Sequence, residues 1–176
     1  DGGEQVVYLN TFSKTIAPSI RISFMVLPHR LLTDFRQKLG FYACTVSAFE
    51  QYTLAQFLAG GWYEKHLSRM RKHYRQKRDA VIAAVYKSPL APYAAITEED
   101  AGVHFLLRLD GAPSDETLRR EAEQRGIRLA MLSDYYQCPQ DAPQHVLVVN
   151  YTGIDLDRLP AALERLAALW KENDHV

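Results

Sequence analysis

The sequence lacks an excess of charge of either sign, because its 21 Lys and Arg residues are matched by 21 Asp and Glu residues. Phosphate affinity comes mainly from surplus Lys and Arg, so this balance argues against a nucleic-acid-binding surface within the chain.

Cysteine is scarce too. Cys44 and Cys138 stand far apart and without metal-ligand spacing, which predicts free thiols in a reducing compartment and no metal site. No signal peptide and no apolar run of membrane length is present, which predicts a cytoplasmic protein.

Two apolar runs near the N-terminus enclose a polar turn that contains a lysine. Residues 6–9 and 21–27 are rich in β-branched and aromatic residues, and Pro28 closes the second run, so both are predicted strands. Lys14 is therefore expected on the loop between them.

The residues around Lys14 are suited to binding a phosphorylated aldehyde. An unprotonated lysine amine condenses with a carbonyl, while hydroxyls and a guanidinium supply hydrogen bonds and charge to a phosphate. Thr11, Ser13, Thr15 and Arg21 provide such groups close to Lys14 in sequence. The residues alone leave a second interpretation open, in which Lys14 is a solvated loop lysine without a ligand.

The segment Thr11-Phe-Ser-Lys14-Thr-Ile-Ala-Pro18, followed by Arg21, resembles the pyridoxal-phosphate (PLP) lysine segment of fold-type I aminotransferases. It is most similar to the aminotransferase-like domain of MocR-type regulators in the GntR family of transcription factors. The similarity continues through five further segments and spans essentially the whole chain: Phe41-Tyr-Ala-Cys-Thr-Val-Ser47, Glu50-Gln-Tyr52, Tyr63-Glu-Lys-His-Leu-Ser-Arg-Met-Arg-Lys72, Ala101-Gly-Val-His104 and Leu132-Ser-Asp-Tyr-Tyr136.

This resemblance implies an α/β fold, the C-terminal portion of a fold-type I PLP-dependent aminotransferase-like domain that ends in a small α+β domain. Lys14 would form the Schiff base with the cofactor, and Arg21, Thr11 and Ser13 would hold its phosphate. In such proteins most of a large sheet domain precedes the lysine. We therefore expect this chain to be a C-terminal fragment, which would bind the cofactor poorly by itself.

The order of predicted elements suggests three regions. Residues 1–28 would end the large PLP-binding domain, residues 29–88 would form a helical connector, and residues 89–176 would form the small domain. Helix signals cover residues 29–39, 47–58, 62–86, 115–125 and 156–171, and strand signals cover residues 94–96, 103–109, 127–131 and 145–151.

The long helix predicted at residues 62–86 carries a run of basic residues that falls mostly off its apolar stripe. Contact with DNA or with a partner subunit is one interpretation, and a solvated helix face is the other.

An arginine that grips a substrate carboxylate is missing from its usual place in catalytic fold-type I aminotransferases. The strand predicted before the last helix carries valine near that position, and Asn150 is the closest polar group. Arg108 and Arg128 on neighbouring predicted strands are weak candidates for an effector site, and each also fits a surface or structural role. His104 and the pair Tyr135-Tyr136 are further candidates that fit structural roles equally well.

Two functions follow from the resemblance. The first is the PLP-binding effector domain of a MocR-type regulator, which would bind an amine or amino acid, form a homodimer and reach DNA through a domain outside this chain. The alternative is a catalytic PLP-dependent aminotransferase acting on an amino acid or amine. An interaction module without a cofactor is a third possibility, which an exposed Lys14 on a disordered loop would support.

Overall fold

The computed structural model describes residues 3–100 and 102–173. Ala101, which begins one of the resembling segments, lies outside the described residues, as do both chain ends. The chain divides into two compact units that meet in sequence between Arg71 and Lys72. None of the helices in the described part of the chain combines the length and apolar content needed to cross a membrane.

The first unit contains a two-stranded antiparallel sheet. Strand β1 (Tyr8–Thr11) pairs with β2 (Ser23–Val26), with Tyr8 opposite Val26 and Thr11 opposite Ser23. Both strands were predicted: β1 begins and ends two residues after its apolar run, and β2 lies within its run. The two strands pair with each other, which brings both ends of the intervening loop together.

Three helices follow the sheet: α1 (His29–Leu39), α2 (Ala48–Ala59) and α3 (Trp62–Lys87). Ser47 begins α2 as predicted, because its hydroxyl accepts a hydrogen bond from the amide of Glu50 and donates one to the Glu50 carboxylate at 2.9 Å. Gly61, with φ of 68°, makes the sharp turn between α2 and α3.

The second unit contains a three-stranded antiparallel sheet of β3 (Ala94–Thr97), β4 (His104–Leu109) and β5 (Val146–Asn150), in that order. Helix α4 (Asp115–Gln124) begins at Ser114, and α5 (Leu159–Asn173) ends the described chain. Its core is continuous and apolar, and it includes Val81, Val85, Phe105, Leu107, Leu109, Leu118, Met131, Leu147, Leu163 and Leu166.

The strand predicted at residues 127–131 is wrong over most of its length. Only Met131 forms a bridge, with Leu147, and Ala130 accepts one backbone hydrogen bond from Val148 at 2.9 Å. Arg128 and Ala130 are exposed. Exposed and less exposed side chains therefore alternate over residues 127–131 as they would in a strand, but the backbone makes too few hydrogen bonds to a neighbouring strand to form a strand.

A buried carboxylate ties together three segments of the second unit. Asp115 accepts a hydrogen bond from the hydroxyl of Ser133 at 2.8 Å and another from the amide of His145 at 2.7 Å. His145 has φ of 63°, and its Nδ1 lies 3.0 Å from the carbonyl oxygen of Pro113. The start of α4, the turn at Ser133 and the approach to β5 are thus held by one side chain.

The two units differ in how much apolar surface they bury. Among the described residues up to Arg71, only Ile22 and Pro28 are buried. Large side chains of this unit remain exposed, among them Leu9, Phe41, Tyr42, Phe49 and Tyr52. The first unit therefore has much less of a core than the second. Cys44 and Cys138 are free and exposed.

Candidate functional site

Lys14 lies on the loop that joins β1 to β2, as the sequence predicts. The loop opens with a tight turn, in which the amides of Thr15 and Ile16 donate to the carbonyl oxygen of Phe12 at 3.1 and 2.8 Å. Phe12 in turn donates to Ile22 at 2.9 Å, which closes the base of the loop. The Lys14 side chain is exposed, so its amine is accessible to a carbonyl compound.

The structure brings two of the three predicted phosphate ligands into contact. The guanidinium Nη1 of Arg21 donates to the hydroxyl of Ser13 at 3.4 Å, and that hydroxyl donates to the carbonyl oxygen of Ile20. Thr11 turns inward, where its hydroxyl accepts from the Ser13 amide and donates to the carbonyl oxygen of Ile22, both at 3.2 Å. Ser13 and Arg21 thus form one polar cluster, while Thr11 holds the shape of the loop.

Thr15 carries an unsatisfied hydroxyl directly beside Lys14. Its Oγ1 is buried and has no hydrogen-bond partner among the described residues. Most buried polar atoms are hydrogen-bonded, so an unpaired hydroxyl of this kind marks a place where a ligand or a rearrangement would supply a partner. An accessible amine, an exposed guanidinium and a spare hydroxyl fit the aldehyde and phosphate of PLP.

Aromatic side chains support the base of the lysine loop. The centre of the Phe12 ring lies 5.4 Å from that of Phe24 and 5.9 Å from that of Tyr63. The centres of the Tyr63 and Phe57 rings are 6.3 Å apart. These rings fix the base of the turn by packing.

His66 adds a polar support that the sequence did not predict. Its Nε2 lies 3.1 Å from the carbonyl oxygen of Thr15, which accepts its proton. The two residues are 51 positions apart, so no local pattern connects them. The only signal was that His66 falls within the family-resembling segment 63–72.

An apolar cavity of about 210 Å³ lies next to the loop. Ile16, Ile20 and Ile22 of the loop form one side, and α2 forms the other with Phe49, Glu50, Thr53, Leu54 and Phe57. The residues that flank Lys14 and Arg21 therefore rest on a loosely filled apolar surface.

Two of the predicted effector-binding residues come together in the second unit. Arg128 and Asn150 line the same cavity of about 330 Å³, together with Val148. The Asn150 side-chain carbonyl accepts from the Thr152 amide and hydroxyl at 3.0 and 2.7 Å, which fixes its orientation. Arg108 is not among the residues that line this cavity, and it pairs with Asp110 at 2.9 Å.

The remaining candidates have structural surroundings. His104 is half-buried on β4 and pairs in register with Asn150. Tyr135 and Tyr136 are exposed. No cluster of three or more metal-ligating side chains occurs in residues 3–100 and 102–173.

The known proteins to which this chain is similar are transcriptional regulators and aminotransferases. No protein-family model matches the chain. It is 34% identical to the HTH-type transcriptional regulator YdeL of Bacillus subtilis over 97% of its own length and 36% of that protein. It is 35% identical to the probable rhizopine catabolism regulatory protein MocR of Rhizobium meliloti over 88% of its length and 31% of that protein. The chain thus spans about a third of these relatives.

Among solved structures, the chain is similar to kynurenine aminotransferase of Pyrococcus horikoshii. The TM-score is 0.78 at 26% identity, and the match covers 100% of this chain and 43% of the enzyme. An α-aminoadipate aminotransferase of Thermus thermophilus, LysN, gives a TM-score of 0.72 at 24% identity over 97% of this chain and 43% of its own. The fold is therefore that of a fold-type I aminotransferase, as the sequence predicts.

Proposed function

Because the chain belongs to the MocR-type regulators of the GntR family, as the C-terminal part of their aminotransferase-like region, we propose that it senses an effector with bound PLP. The observation that carries this proposal is the accessible amine of Lys14 beside the contact between Ser13 and Arg21, at 3.4 Å. PLP, when bound, supplies an aldehyde that captures amines.

Each residue of the loop has its own task in this proposal. Lys14 would hold the cofactor through its side-chain amine. Arg21 and Ser13 would bind the phosphate, and the unpaired hydroxyl of Thr15, which is buried, would reach a ligand only after the loop rearranges. Thr11 is the least direct contributor, since its hydroxyl bonds to the backbone of Ile22, and it would bind phosphate only after turning outward.

The effector is proposed to be an amine or an amino acid. Arg128 and Asn150, which line one cavity with Val148, are proposed to contact its polar end. Arg108 is the weaker candidate, because a ligand would have to compete with Asp110 for its guanidinium. The strand before the last helix carries valine near the usual position of the carboxylate-binding arginine, which favours sensing over transamination.

The larger assembly is proposed on the basis of the same family assignment. Residues 1–28 are proposed to end the large PLP domain, 29–88 to form the connector and 89–176 to form the small domain. The full protein is proposed to be a cytoplasmic homodimer that binds DNA through a domain outside this chain. Effector binding would alter DNA binding only if the ligand has different affinities for two conformations.

Catalytic transamination is the second candidate function. It is favoured by the 26% identity to the Pyrococcus horikoshii aminotransferase. The same lysine would then also move the proton of the bound amino acid. Turnover of amino donors by the full-length protein distinguishes this function from sensing.

The decisive experiment is a PLP titration of the full-length protein, followed by its absorbance above about 400 nm, where protein Schiff bases of PLP absorb. The wild type is expected to develop this absorbance, and Lys14→Ala is expected to lose it. Lys38→Ala, which changes another exposed lysine of the same unit, is the matched control. Absence of the absorbance in the wild type, or its persistence in Lys14→Ala, would refute the proposed role of Lys14.

A further inference from the structure

Basic residues are concentrated on one helix of this electrically balanced chain. Seven of the 21 Lys and Arg residues lie between Lys65 and Arg78 on α3, and no Asp or Glu occurs in that stretch. The rest of the chain therefore holds 14 Lys and Arg against 21 Asp and Glu. A net charge of zero thus conceals a strongly basic segment on an acidic background.

Two of these seven residues have structural tasks. The Nζ of Lys77 donates to the carbonyl oxygen of Thr152 at 2.8 Å. Arg78 is largely buried and pairs with Asp79 at 2.9 Å and with Asp100 at 2.6 Å. Their charges are accounted for by contacts within the chain.

The other five have no such role. All are exposed, and none has an ion-pair partner within residues 3–100 and 102–173. Lys65 makes a contact of another kind, in which its Nζ lies 4.6 Å from the centre of the Trp62 ring. These five residues are Lys65, Arg69, Arg71, Lys72 and Arg75.

Four of them follow one side of the helix, and we call this set the basic face: Lys65, Arg69, Lys72 and Arg75. Their spacings of four, three and three residues are those at which helical side chains become neighbours. Like charges at these spacings repel each other, and no acidic side chain in the stretch relieves the repulsion. Ten residues of helix span about 15 Å, so the basic face is an extended row of charges.

We propose that the basic face binds the phosphate backbone of duplex DNA. This inference rests on the proposed function, because it requires that the full-length protein is brought onto DNA by a domain outside this chain. A row of Lys and Arg side chains neutralises phosphates and carries no base-specific information, so it would strengthen binding to any sequence. The basic face thus adds a second, non-specific DNA contact to a region otherwise assigned to effector sensing.

The test measures the salt dependence of DNA binding by the full-length protein. Fluorescence anisotropy with random-sequence duplex DNA, between about 50 and 200 mM salt, gives the slope of log K against log salt. The variant Arg69→Gln/Lys72→Gln/Arg75→Gln removes three charges and keeps residues of similar helix propensity. Its slope is expected to be shallower than that of the wild type by about three, roughly one for each phosphate that is no longer neutralised.

The matched control is Arg36→Gln/Arg158→Gln/Arg165→Gln, which removes three charges from exposed positions outside α3. Its slope is expected to equal that of the wild type. The charge-conserving variant Arg69→Lys/Arg75→Lys is expected to keep the wild-type slope, which separates loss of charge from loss of folding.

Two outcomes would overturn the inference in different ways. If the wild type binds the duplex and the α3 variant shows the same slope as the control, the basic face does not contact DNA. The proposed function would then stand. If the wild type does not bind duplex DNA at all, both the inference and the regulatory function fail.

Discussion

The Nε2 of His66 lies 3.1 Å from the carbonyl oxygen of Thr15, so the start of α3 holds the residue next to Lys14. Thr15 is also the residue whose buried hydroxyl lacks a partner among the described residues. One backbone group of Thr15 is therefore fixed by a side chain from far along the sequence, while its buried hydroxyl remains unpaired. This contact gives the lysine loop a defined backbone before any ligand binds.

Replacing His66 by alanine is expected to weaken PLP binding without removing any group that touches the cofactor. Loss of a hydrogen bond of this kind costs about 1 kcal/mol, which corresponds to roughly a fivefold increase in Kd. Titration of the full-length protein with PLP measures the effect. His73→Ala, at an exposed position of the same helix, serves as the control. Equal affinities of His66→Ala and His73→Ala would contradict this prediction.

Replacing Arg21 by glutamine is expected to reduce binding through the phosphate alone. A hydrogen bond to a charged group contributes about 1.5–3 kcal/mol, so PLP affinity should fall by roughly one to two orders of magnitude. Pyridoxal, which has the aldehyde but no phosphate, should bind the wild type and Arg21→Gln equally. A similar loss for both compounds would mean that Arg21 shapes the loop and does not bind phosphate.

Asp115→Asn is expected to destabilise the second unit. The carboxylate accepts from Ser133 and from the His145 amide, and the amide nitrogen of asparagine could not accept one of these hydrogen bonds. The expected loss is about 1–3 kcal/mol, the usual cost of an unsatisfied buried group. Hydrogen exchange of the β4 and β5 amides measures it locally. Glu123→Gln, at an exposed position of α4, should leave exchange unchanged, and equal protection in both variants would disprove the role of Asp115.

The burial of Tyr151 predicts that the folded protein becomes less stable at alkaline pH. Burial raises the pKa of Tyr151 above its ordinary value of 10.0, although the positive charge of Arg78 opposes this effect. The folded state therefore holds the phenol proton more tightly than the unfolded state. The stability that comes from the protonated phenol is complete below about pH 10 and is lost as the pH rises towards the folded-state pKa. The total loss is about 1.4 kcal/mol for each pH unit that separates the folded-state pKa from the unfolded-state pKa.

The measurement is the thermal midpoint of the full-length protein between about pH 8 and 11. Tyr151→Phe should show a flatter decline than the wild type, after an initial loss because the hydroxyl no longer donates to Gly102 at 2.5 Å. Tyr86→Phe removes an exposed phenol and should retain the wild-type decline. A Tyr151→Phe profile as steep as that of the wild type would rule out this source of pH dependence.

Sequence patterns that span only a few residues predicted this fold well. Pairing between segments that are far apart in sequence could not be predicted in the same way. The cap at Ser47, the lysine loop and the helices at 29–39 and 62–86 depend on local spacing, which the sequence displays directly. The strand predicted at residues 127–131 failed because alternation alone does not show whether a neighbour offers hydrogen bonds.

The candidate site shows the same division. Lys14, Ser13 and Arg21 could be found because they are close in sequence and match a family segment. The contact of His66 could not be found, because it joins two residues that are 51 positions apart. Likewise, Arg128 and Asn150 were separate candidates in the sequence, and folding placed them on one cavity.

Within the described residues, β1 and β2 pair only with each other. The register that sets Thr11 opposite Ser23 is fixed by these two strands alone, and the loop that carries Lys14 is closed at its base by Phe12 and Ile22. Both contacts that hold the ends of this loop therefore come from within residues 11–23, so the lysine is positioned by a short local segment.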